Sequence, residues 1–329
     1  MTFVQTVLGQ IAPEELGFTL PHEHIICDST LCRFRSASGK RPPWGSYMWF
    51  DEVDVMTEEL HKFRMDGGGA VVDVTCHGWG RDPLALRKIS KESGVHIIVC
   101  TGFYVENCMP SWVRHKTIDQ LVKWIVREVT VGCNARENSE VTDIRAGIIK
   151  TSVSRPSFSH FELKGLRAVA KAHIKTGMPI TSHNSGSIRF ELEGGNIGKE
   201  MLTILEGEGV DPEAVIVGHM DENPDIRNLV SIAKKGAWIQ FDTIGKQHYI
   251  LDETRADLAT ALKEKGLLGH LLISQDRNRK PMLRRYDGPG YSDVLKRFIP
   301  ILRDKGWNNK DIQKLTCDNP VKALRKRDT

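Results

Sequence analysis

The sequence predicts a (β/α)8 barrel, an α/β fold in which eight parallel strands alternate with helices and close into a ring. Its 329 residues suit one such barrel, which typically needs roughly 250 residues plus insertions. Eight short runs of β-branched and other apolar residues alternate with segments of helical periodicity. Several runs end on a histidine, a lysine or an aspartate. We therefore expect one domain over residues 1–329, with a short N-terminal extension (residues 1–16) packing on the barrel.

The predicted strands follow one another at regular intervals. They cover residues 18–26, 70–76, 96–102, 145–150, 178–183, 214–219, 237–243 and 271–276. Helical periodicity predicts helices that include residues 52–65, 83–93, 116–132, 161–176 and 225–235. An open, doubly wound sheet has the same alternation and stays open as an alternative. Residues 31–49, rich in Arg, Ser, Gly, Pro and aromatic residues, are predicted to form a long loop that covers the barrel mouth or contacts another subunit.

Composition excludes several classes of partner. The chain has 46 Lys and Arg against 42 Asp and Glu, an excess too small to predict nucleic-acid or membrane binding. Seven scattered cysteines without C-x-x-C spacing argue for reduced thiols and against a zinc finger. The first residues do not resemble a signal peptide, and no apolar stretch is long enough to span a bilayer. We expect a cytoplasmic protein without nucleic-acid or membrane partners, and a homodimer by default.

The ends of the predicted strands carry the residues that suggest chemistry. His22 and His24 occupy alternate positions of the first strand, so both imidazoles point to the same face, as in a metal chelate. Such a pair alone is more often a set of packed or surface residues. However, other strands end on ligand-type residues, and the C-terminal ends of barrel strands form a single mouth. The converging candidates are Lys150, His183, His219 and Asp276.

Lys150 is the unusual member of this set. A lysine that ends a buried strand normally reaches solvent or pairs with a carboxylate, and an ammonium group cannot bind a metal. Burial beside cations would lower the pKa of the lysine. The free amine could then react with carbon dioxide and form a carbamate, whose two oxygens can bridge two metal ions.

Seven short segments occur in a fixed order along nearly the whole chain: GFTLPHEH (17–24), VDVT (72–75) with GRDP (80–83), TGFY (101–104), AGIIK (146–150), PITSH (179–183), GHMD (218–221) and QFD (240–242). In this order they resemble the phosphotriesterase family of the amidohydrolase superfamily, in particular its lactone-hydrolysing branch. The resemblance implies a binuclear metal centre with a carboxylated lysine. Its ligands would be His22, His24, Lys150, His183, His219 and Asp276.

The resemblance also implies a mechanism. A hydroxide that bridges the two ions together with carboxylated Lys150 would be the nucleophile, and Asp276 would pass its proton to the leaving group. Tyr104 matches a tyrosine that lactone-hydrolysing members place beside the substrate carbonyl, although a core aromatic with its hydroxyl at the rim is equally consistent. We expect zinc, while these ligand types suit manganese, cobalt and iron as well.

Basic residues follow the seventh and eighth predicted strands, where barrels commonly bind phosphate. Each could instead be a solvated surface residue, and the role of His248 stays open. Together they predict a small anionic substrate. Because the segment after Asp276 is short and basic, a phosphorylated furanose lactone fits best among the family's substrates. The predicted substrate-binding residues are Lys246, Tyr249, Arg277, Arg279 and Lys280.

Three alternatives remain open at this point. The same metals and basic loops would serve an amidohydrolase that removes an N-acyl group from a small anionic amine. A phosphotriesterase or an acyl-homoserine lactonase would use the same centre, and promiscuous cleavage of activated phosphotriesters is expected in any case. Outside enzymology, the chain could be a metal-binding scaffold that retains the fold without activity.

Overall fold

A computed structural model describes residues 2–33, 41, 43–136, 139–154, 158–185, 196–222 and 224–328. Eight parallel strands form one sheet in which each strand pairs with its neighbour in chain order. The strands are β1 (Phe18–Glu23), β2 (Gly68–Asp73), β3 (His96–Gly102), β4 (Ile148–Ser154), β5 (Ile180–Ser185), β6 (Val215–Val217), β7 (Trp238–Phe241) and β8 (Leu271–Ile273).

The first and last strands meet and close the ring. The backbone N–H of His22 donates to Ser274 Oγ at 3.1 Å, and the N–H of Asp276 donates to the carbonyl oxygen of His22 at 3.2 Å. These bonds join the C-terminal ends of β1 and β8. The predicted (β/α)8 barrel is therefore confirmed, and an open sheet is excluded.

Helices on the outside connect successive strands. Several begin at a polar residue whose side chain accepts a hydrogen bond from the first turn, as Asp82, Thr117 and Ser159 do. Such caps satisfy backbone N–H groups that have no partner within the helix. The connecting helices are α1 (Val53–Met65), α2 (Pro83–Ser93), α3 (Ile118–Thr130), α4 (His160–Thr176), α5 (Ile197–Gly207), α6 (Ile226–Lys234) and α7 (Asp252–Glu264). Three short helices follow β8: α8 (Ile299–Asp304), α9 (Asn309–Gln313) and α10 (Asn319–Leu324).

The side-chain alternation of the strands separates an outer core from an inner one. The outer core lies between strands and helices, whereas a smaller inner cluster fills the ring. Because strand side chains alternate, residues two positions beyond an inner apolar residue also point inward. Lys150 follows inner Ile148 in this way, and Asp242 follows inner Trp238 by four positions. The fold thus fills the lower part of the ring with apolar side chains and directs polar ones into its C-terminal end.

Short hairpins complete the barrel. Val4–Thr6 pairs with Gly9–Ile11, and Val4 and Leu16 belong to the inner cluster, so this N-terminal segment packs on the barrel. Cys27–Asp28 pairs with Trp49–Phe50 and brackets the predicted loop over residues 31–49. Residues 34–40 and 42 of that loop lie outside the described residues, so its role stays a prediction.

Two further sequence-based expectations can be compared with the structure. Within the described residues, none of the helices is both long and apolar enough to cross a membrane.

Cys108 is disulfide-bonded, so the expectation that all seven cysteines are reduced is wrong at that position. Five others are free thiols: Cys27, Cys76, Cys100, Cys133 and Cys317.

Candidate active site

All six predicted metal ligands lie at the C-terminal end of the barrel. Lys150 Nζ is 3.4 Å from His22 Nε2, and the His22 ring lies 5.0 Å from the ring of His219. His219 Nε2 is in turn 2.6 Å from Nδ1 of His183. On the other side of the group, His24 Nε2 is 3.2 Å from an Asp276 carboxylate oxygen.

The backbone at two of these residues is unusual. His219 and Asp276 have φ angles of 56° and 47°, in the left-handed region that non-glycine residues rarely adopt. Such conformations cost about 1 kcal/mol or more, and they cluster at functional sites where the surrounding structure holds them. His219 lies two residues beyond the end of β6, and Asp276 lies three residues beyond the end of β8. The strained backbone redirects their side chains toward the centre of the mouth.

Glycines allow the strand ends to approach closely. Gly102 ends β3 and pairs with Lys150, and a Cβ atom there would lie 2.1 Å from the carbonyl oxygen of Lys150. A Cβ at Gly218 would lie 2.3 Å from the carbonyl oxygen of Ser182. Any larger residue would push apart the strands that carry the predicted ligands.

The donor set fits divalent cations. His22, His24 and Asp276 offer ligand atoms that all lie within 4.8 Å of one another, and two imidazoles with one carboxylate suit zinc, manganese, cobalt or iron. Beside His22, Gln240 Nε2 is buried without a hydrogen-bond partner among the described residues, and Asp242 Oδ2 lies 2.8 Å from His22 Nδ1 but off the line of a hydrogen bond. Buried polar atoms are normally satisfied, so this polar region has the character of a site for a further group.

Lys150 also fits this arrangement. Its side chain is 1% exposed, and among the residues that the structure describes no carboxylate oxygen lies within 4.0 Å of its Nζ. Burial lowers the pKa of Lys150 because the charged form is penalised in a poorly solvated environment. A buried, unpaired ammonium is unfavourable, whereas a neutral amine or its carbamate is compatible with these surroundings.

The imidazoles differ in charge. Burial and the nearby charge of Lys150 lower the pKa of His22 to about 4, and burial followed by the charge of His219 holds the pKa of His183 well below its usual value. Burial opposes protonation of His219 too, but the charge of Asp242 and its hydrogen bond outweigh this effect and raise the pKa of His219 to about 9. His22 and His183 are therefore neutral near pH 7, the form that binds metals.

An aromatic wall borders the site. The ring of His24 packs edge-on against Trp79 with 4.3 Å between centroids, and Trp79 stacks on Tyr104 at 5.1 Å. The Tyr104 hydroxyl lies 3.2 Å from His183 Nε2. Tyr104 thus lies beside the predicted ligands, as expected from the sequence, whereas Trp79 was not anticipated.

A cavity of about 1070 Å³ opens above the ligands, and three of the five predicted substrate-binding residues line it: Lys246, Tyr249 and Arg279. Lys246 Nζ forms an ion pair with Asp276. Tyr249 is 43% exposed at the rim, next to His248. The half-buried Arg279 guanidinium packs over the Tyr47 ring and has no carboxylate partner within the described part of the chain. It is a cation available to a ligand.

The other two basic residues lie elsewhere, which corrects their predicted placement at the cavity. The Arg277 guanidinium is buried and donates to Asp293 at 2.6 Å, because its strand-end position turns it into the protein. Lys280 Nζ pairs with Glu52 at 2.8 Å, outside the described cavity lining. Both side chains already have partners and serve the framework of the loop.

The cavity also contains polar residues that the sequence reasoning missed. Asn278 donates from Nδ2 to Asp276 at 3.0 Å. Arg114 pairs with Glu106 at 3.0 Å. Glu222 lines the cavity three residues after His219, its carboxylate has no hydrogen-bond donor among the described residues, and burial raises its pKa to about 7. In the sequence, two acidic residues (221–222) directly follow the segment GHM (218–220), and this was the pattern from which Glu222 could have been predicted as a cavity residue.

Comparison with known proteins identifies the relatives of this chain. The model of the phosphotriesterase family matches residues 2–324. An N-acetyltaurine hydrolase from Salmo salar is 31% identical and covers 98% of this chain and 97% of its own length. The phosphotriesterase homology protein from Escherichia coli, solved with phosphate in its active site, has a TM-score of 0.83 and 30% identity over 94% of this chain and 99% of its own.

A solved lactonase is also similar. The lactonase Lmo2620 from Listeria monocytogenes has a TM-score of 0.87 and 29% identity, and the match covers 99% of this chain and 100% of that protein. The family model, the barrel and the convergent histidines agree over essentially the whole chain. The chain belongs to the phosphotriesterase family.

Proposed function

We propose that this chain is a binuclear metal-dependent hydrolase that opens a phosphorylated furanose lactone. The observation that carries this proposal is that one cavity is lined by two ionisable groups: the Arg279 guanidinium, which forms no ion pair with a described residue, and the Glu222 carboxylate, which accepts no hydrogen bond from one. Arginine matches the geometry of a phosphate, and a carboxylate accepts hydrogen bonds from hydroxyl groups. A sugar lactone with a phosphate carries both complementary groups.

The metal ions would be held by the six ligands named above, with Lys150 carboxylated by carbon dioxide and zinc as the expected metal. When bound, two divalent cations supply a water of lowered pKa and polarise the scissile carbonyl. Lysine carboxylation is favoured here because burial lowers the pKa of Lys150 and so increases the share of the neutral, nucleophilic amine.

Asp276 is suited to move the proton. Burial alone would raise its pKa, but the charge of Lys246 and the hydrogen bond with His24 hold it well below the usual value. The carboxylate is therefore ionised and can take a proton from the attacking water and deliver it to the leaving oxygen. Asn278 and Lys246 keep this carboxylate in place.

The remaining residues would orient the substrate. The Tyr104 hydroxyl is proposed to donate a hydrogen bond to the scissile carbonyl, and Trp79 limits access of water from that side. Arg279 would bind the phosphate, with Lys246 and Tyr249 beside it.

A second candidate is hydrolysis of an N-acyl amine that bears a sulfonate or phosphate. It is favoured by the similarity to N-acetyltaurine hydrolases, and it would use the same metal ligands and the same arginine. Amide hydrolysis makes a stronger demand on protonation of the leaving group, which Asp276 or Glu222 could meet.

Kinetics on matched substrates would test the proposal. The panel contains a five-membered sugar lactone with its phosphate, the same lactone without phosphate, and N-acetyltaurine. The proposal expects the highest kcat/KM for the phosphorylated lactone. Equal turnover of the two lactones would refute the phosphate requirement, and preferred turnover of N-acetyltaurine would establish the second candidate. Two bound metal ions without turnover of any ester, lactone or amide would favour the scaffold alternative.

A further inference from the structure

Asp242 lies beneath the predicted metal site and contacts two of its ligands. The carboxylate is fully buried. Its Oδ1 accepts hydrogen bonds from Nδ1 of His219 at 2.6 Å and from the His219 backbone N–H at 2.9 Å. Its Oδ2 lies 2.8 Å from Nδ1 of His22. One side chain therefore contacts the outer nitrogen of both imidazoles.

The opposite nitrogens of these imidazoles face the site. His22 Nε2 points toward Lys150 Nζ, and His219 Nε2 toward His183 Nδ1. A neutral imidazole has one N–H and one lone pair, and a metal needs the lone pair. An acceptor at Nδ1 keeps the proton there and leaves Nε2 free, which is how carboxylates orient metal-binding histidines.

We infer that Asp242 is a positioning residue that fixes the tautomer of His22 and His219 together and so couples the two cation positions. This inference rests on the proposed pair of cations. Asp242 would not touch substrate or metal. Loss of its carboxylate should weaken both cation positions at once, because His22 lies in one group of ligands with His24 and Asp276, whereas His219 lies in another with His183.

Gln240 offers a competing explanation for one of the two imidazoles. Gln240 Oε1 lies 3.1 Å from Nδ1 of His22, in line with the N–H bond at Nδ1. Asp242 Oδ2 is closer to Nδ1, at 2.8 Å, but lies off the line of this bond. Asp242 nevertheless carries the charge, and charge-assisted hydrogen bonds are roughly twice as strong as neutral ones. Gln240 reaches only His22, so it can influence only one cation position.

The rigidity of Asp242 supports this role. Its backbone N–H donates to Asp221 Oδ1 at 3.2 Å, and the other Asp221 oxygen accepts from Arg255 Nε at 2.7 Å. Asp221 and Arg255 are both completely buried. The backbone of Asp242 is thus held by a buried ion pair, which restricts movement of the carboxylate that contacts the two rings.

The test compares Asp242→Asn with Gln240→Leu in the full-length protein. Asparagine has nearly the same shape as aspartate but only one acceptor oxygen. Its NH2 group, which is a donor, would face one of the two imidazoles. Zinc is titrated into each metal-free protein with bicarbonate present, and bound zinc is counted by mass spectrometry. We expect two zinc ions in the wild type, roughly 10- to 100-fold weaker binding at both positions in Asp242→Asn, and weaker binding at no more than one position in Gln240→Leu.

A measurement on the wild type avoids dependence on the fold of a variant. In the zinc-loaded, 15N-histidine-labelled protein, NMR should show the protons of His22 and His219 on Nδ1. A proton on Nε2 of either ring would overturn the inference. Circular dichroism and thermal unfolding of the metal-free variants check that they are folded.

The outcomes separate this inference from the proposed function. If the wild type binds no zinc under these conditions, the proposed function fails. If the wild type binds two ions and Asp242→Asn binds both with unchanged affinity, the inference is wrong while the proposed function stands. A loss in Gln240→Leu equal to that in Asp242→Asn would assign the positioning role to Gln240 and overturn the coupling.

Discussion

Replacing Arg279 by methionine should impair recognition of an anionic substrate without affecting the metal site. The guanidinium lines the cavity, packs over the exposed Tyr47 ring at 5.6 Å and forms no ion pair with any described residue. Methionine preserves most of the side-chain length and its packing on Tyr47. The substitution therefore removes mainly the charge and the hydrogen-bond donors.

The size of the effect follows from the surroundings of Arg279. A hydrogen bond to a charged group contributes about 1.5–3 kcal/mol, which corresponds to roughly tenfold to 150-fold in kcat/KM. Because Arg279 is only half-buried, solvent screens part of its charge and the lower end applies. We expect a loss of about tenfold to 30-fold for the phosphorylated lactone, and at most about twofold for the same lactone without phosphate.

The chain supplies a control next to Arg279. Lys280 pairs with Glu52 outside the cavity, so Lys280→Met should leave kcat/KM of both lactones nearly unchanged. Inorganic phosphate gives a second assay, since its inhibition constant should rise in Arg279→Met and stay constant in Lys280→Met. An equal fall for both lactones in Arg279→Met, or an effect of Lys280→Met of the same size, would refute the assignment.

Two other changes test separate parts of the site, and a third tests a buried histidine outside the cavity lining. Lys150→Ala should weaken zinc binding by more than the roughly 10- to 100-fold expected for changes outside the ligand set. A short-chain carboxylic acid should restore part of this binding, and retention of two zinc ions would contradict the carbamate. Glu222→Gln should lower kcat/KM about tenfold for a hydroxylated lactone and much less for its deoxy analogue, whereas equal losses would remove Glu222 from recognition. Burial, followed by the charge of Arg81, lowers the pKa of His77 to about 4. The neutral His77 imidazole therefore contributes fully to stability above about pH 6.5, and this contribution decreases as the pH falls toward 4. Between about pH 7.5 and about pH 5, wild type should therefore lose about 2 kcal/mol more unfolding free energy than His77→Gln in denaturant titrations, and identical losses would contradict the buried neutral imidazole.

The sequence was sufficient to predict the barrel and the positions of its strand ends. Each strand is a short local pattern, and parallel strands in a barrel bring their C-terminal ends to one mouth. The convergence of His22, Lys150 and Asp276 therefore required only correct strand positions. Two observed strands, β6 and β8, are shorter than predicted and end before His219 and Asp276. The reason is the left-handed backbone at both residues, which no residue pattern revealed.

Partners brought together by the fold could not be predicted in the same way. The run after Asp276 contains three similar basic residues, but only three-dimensional packing determines that Arg277 meets Asp293 while Arg279 faces the cavity. The same limit applies to Asp242. Its strand was recognised, but its contact with His22 depends on closure of the ring, which leaves only β8 between β1 and β7.

The basic residues around the mouth therefore have two different roles. Arg255 is completely buried and bonds to Asp252 at 2.7 Å, whose carboxylate also accepts from the backbone of Gly245. Arg277 holds the following loop in the same manner, since its backbone N–H donates to Glu23 at 2.8 Å.

These pairs fix the two loops that carry Lys246 and Arg279 before any substrate arrives. Binding to a preorganised site costs less conformational entropy than binding to mobile loops. A loss of Arg277 should consequently weaken phosphate binding indirectly and lower stability as well, because among the described residues it would leave Asp293 with Arg297 as its one ion-pair partner. Arg279→Met should weaken phosphate binding alone. Comparing the denaturation midpoints of the two variants would distinguish the framework arginine from the ligand-binding one.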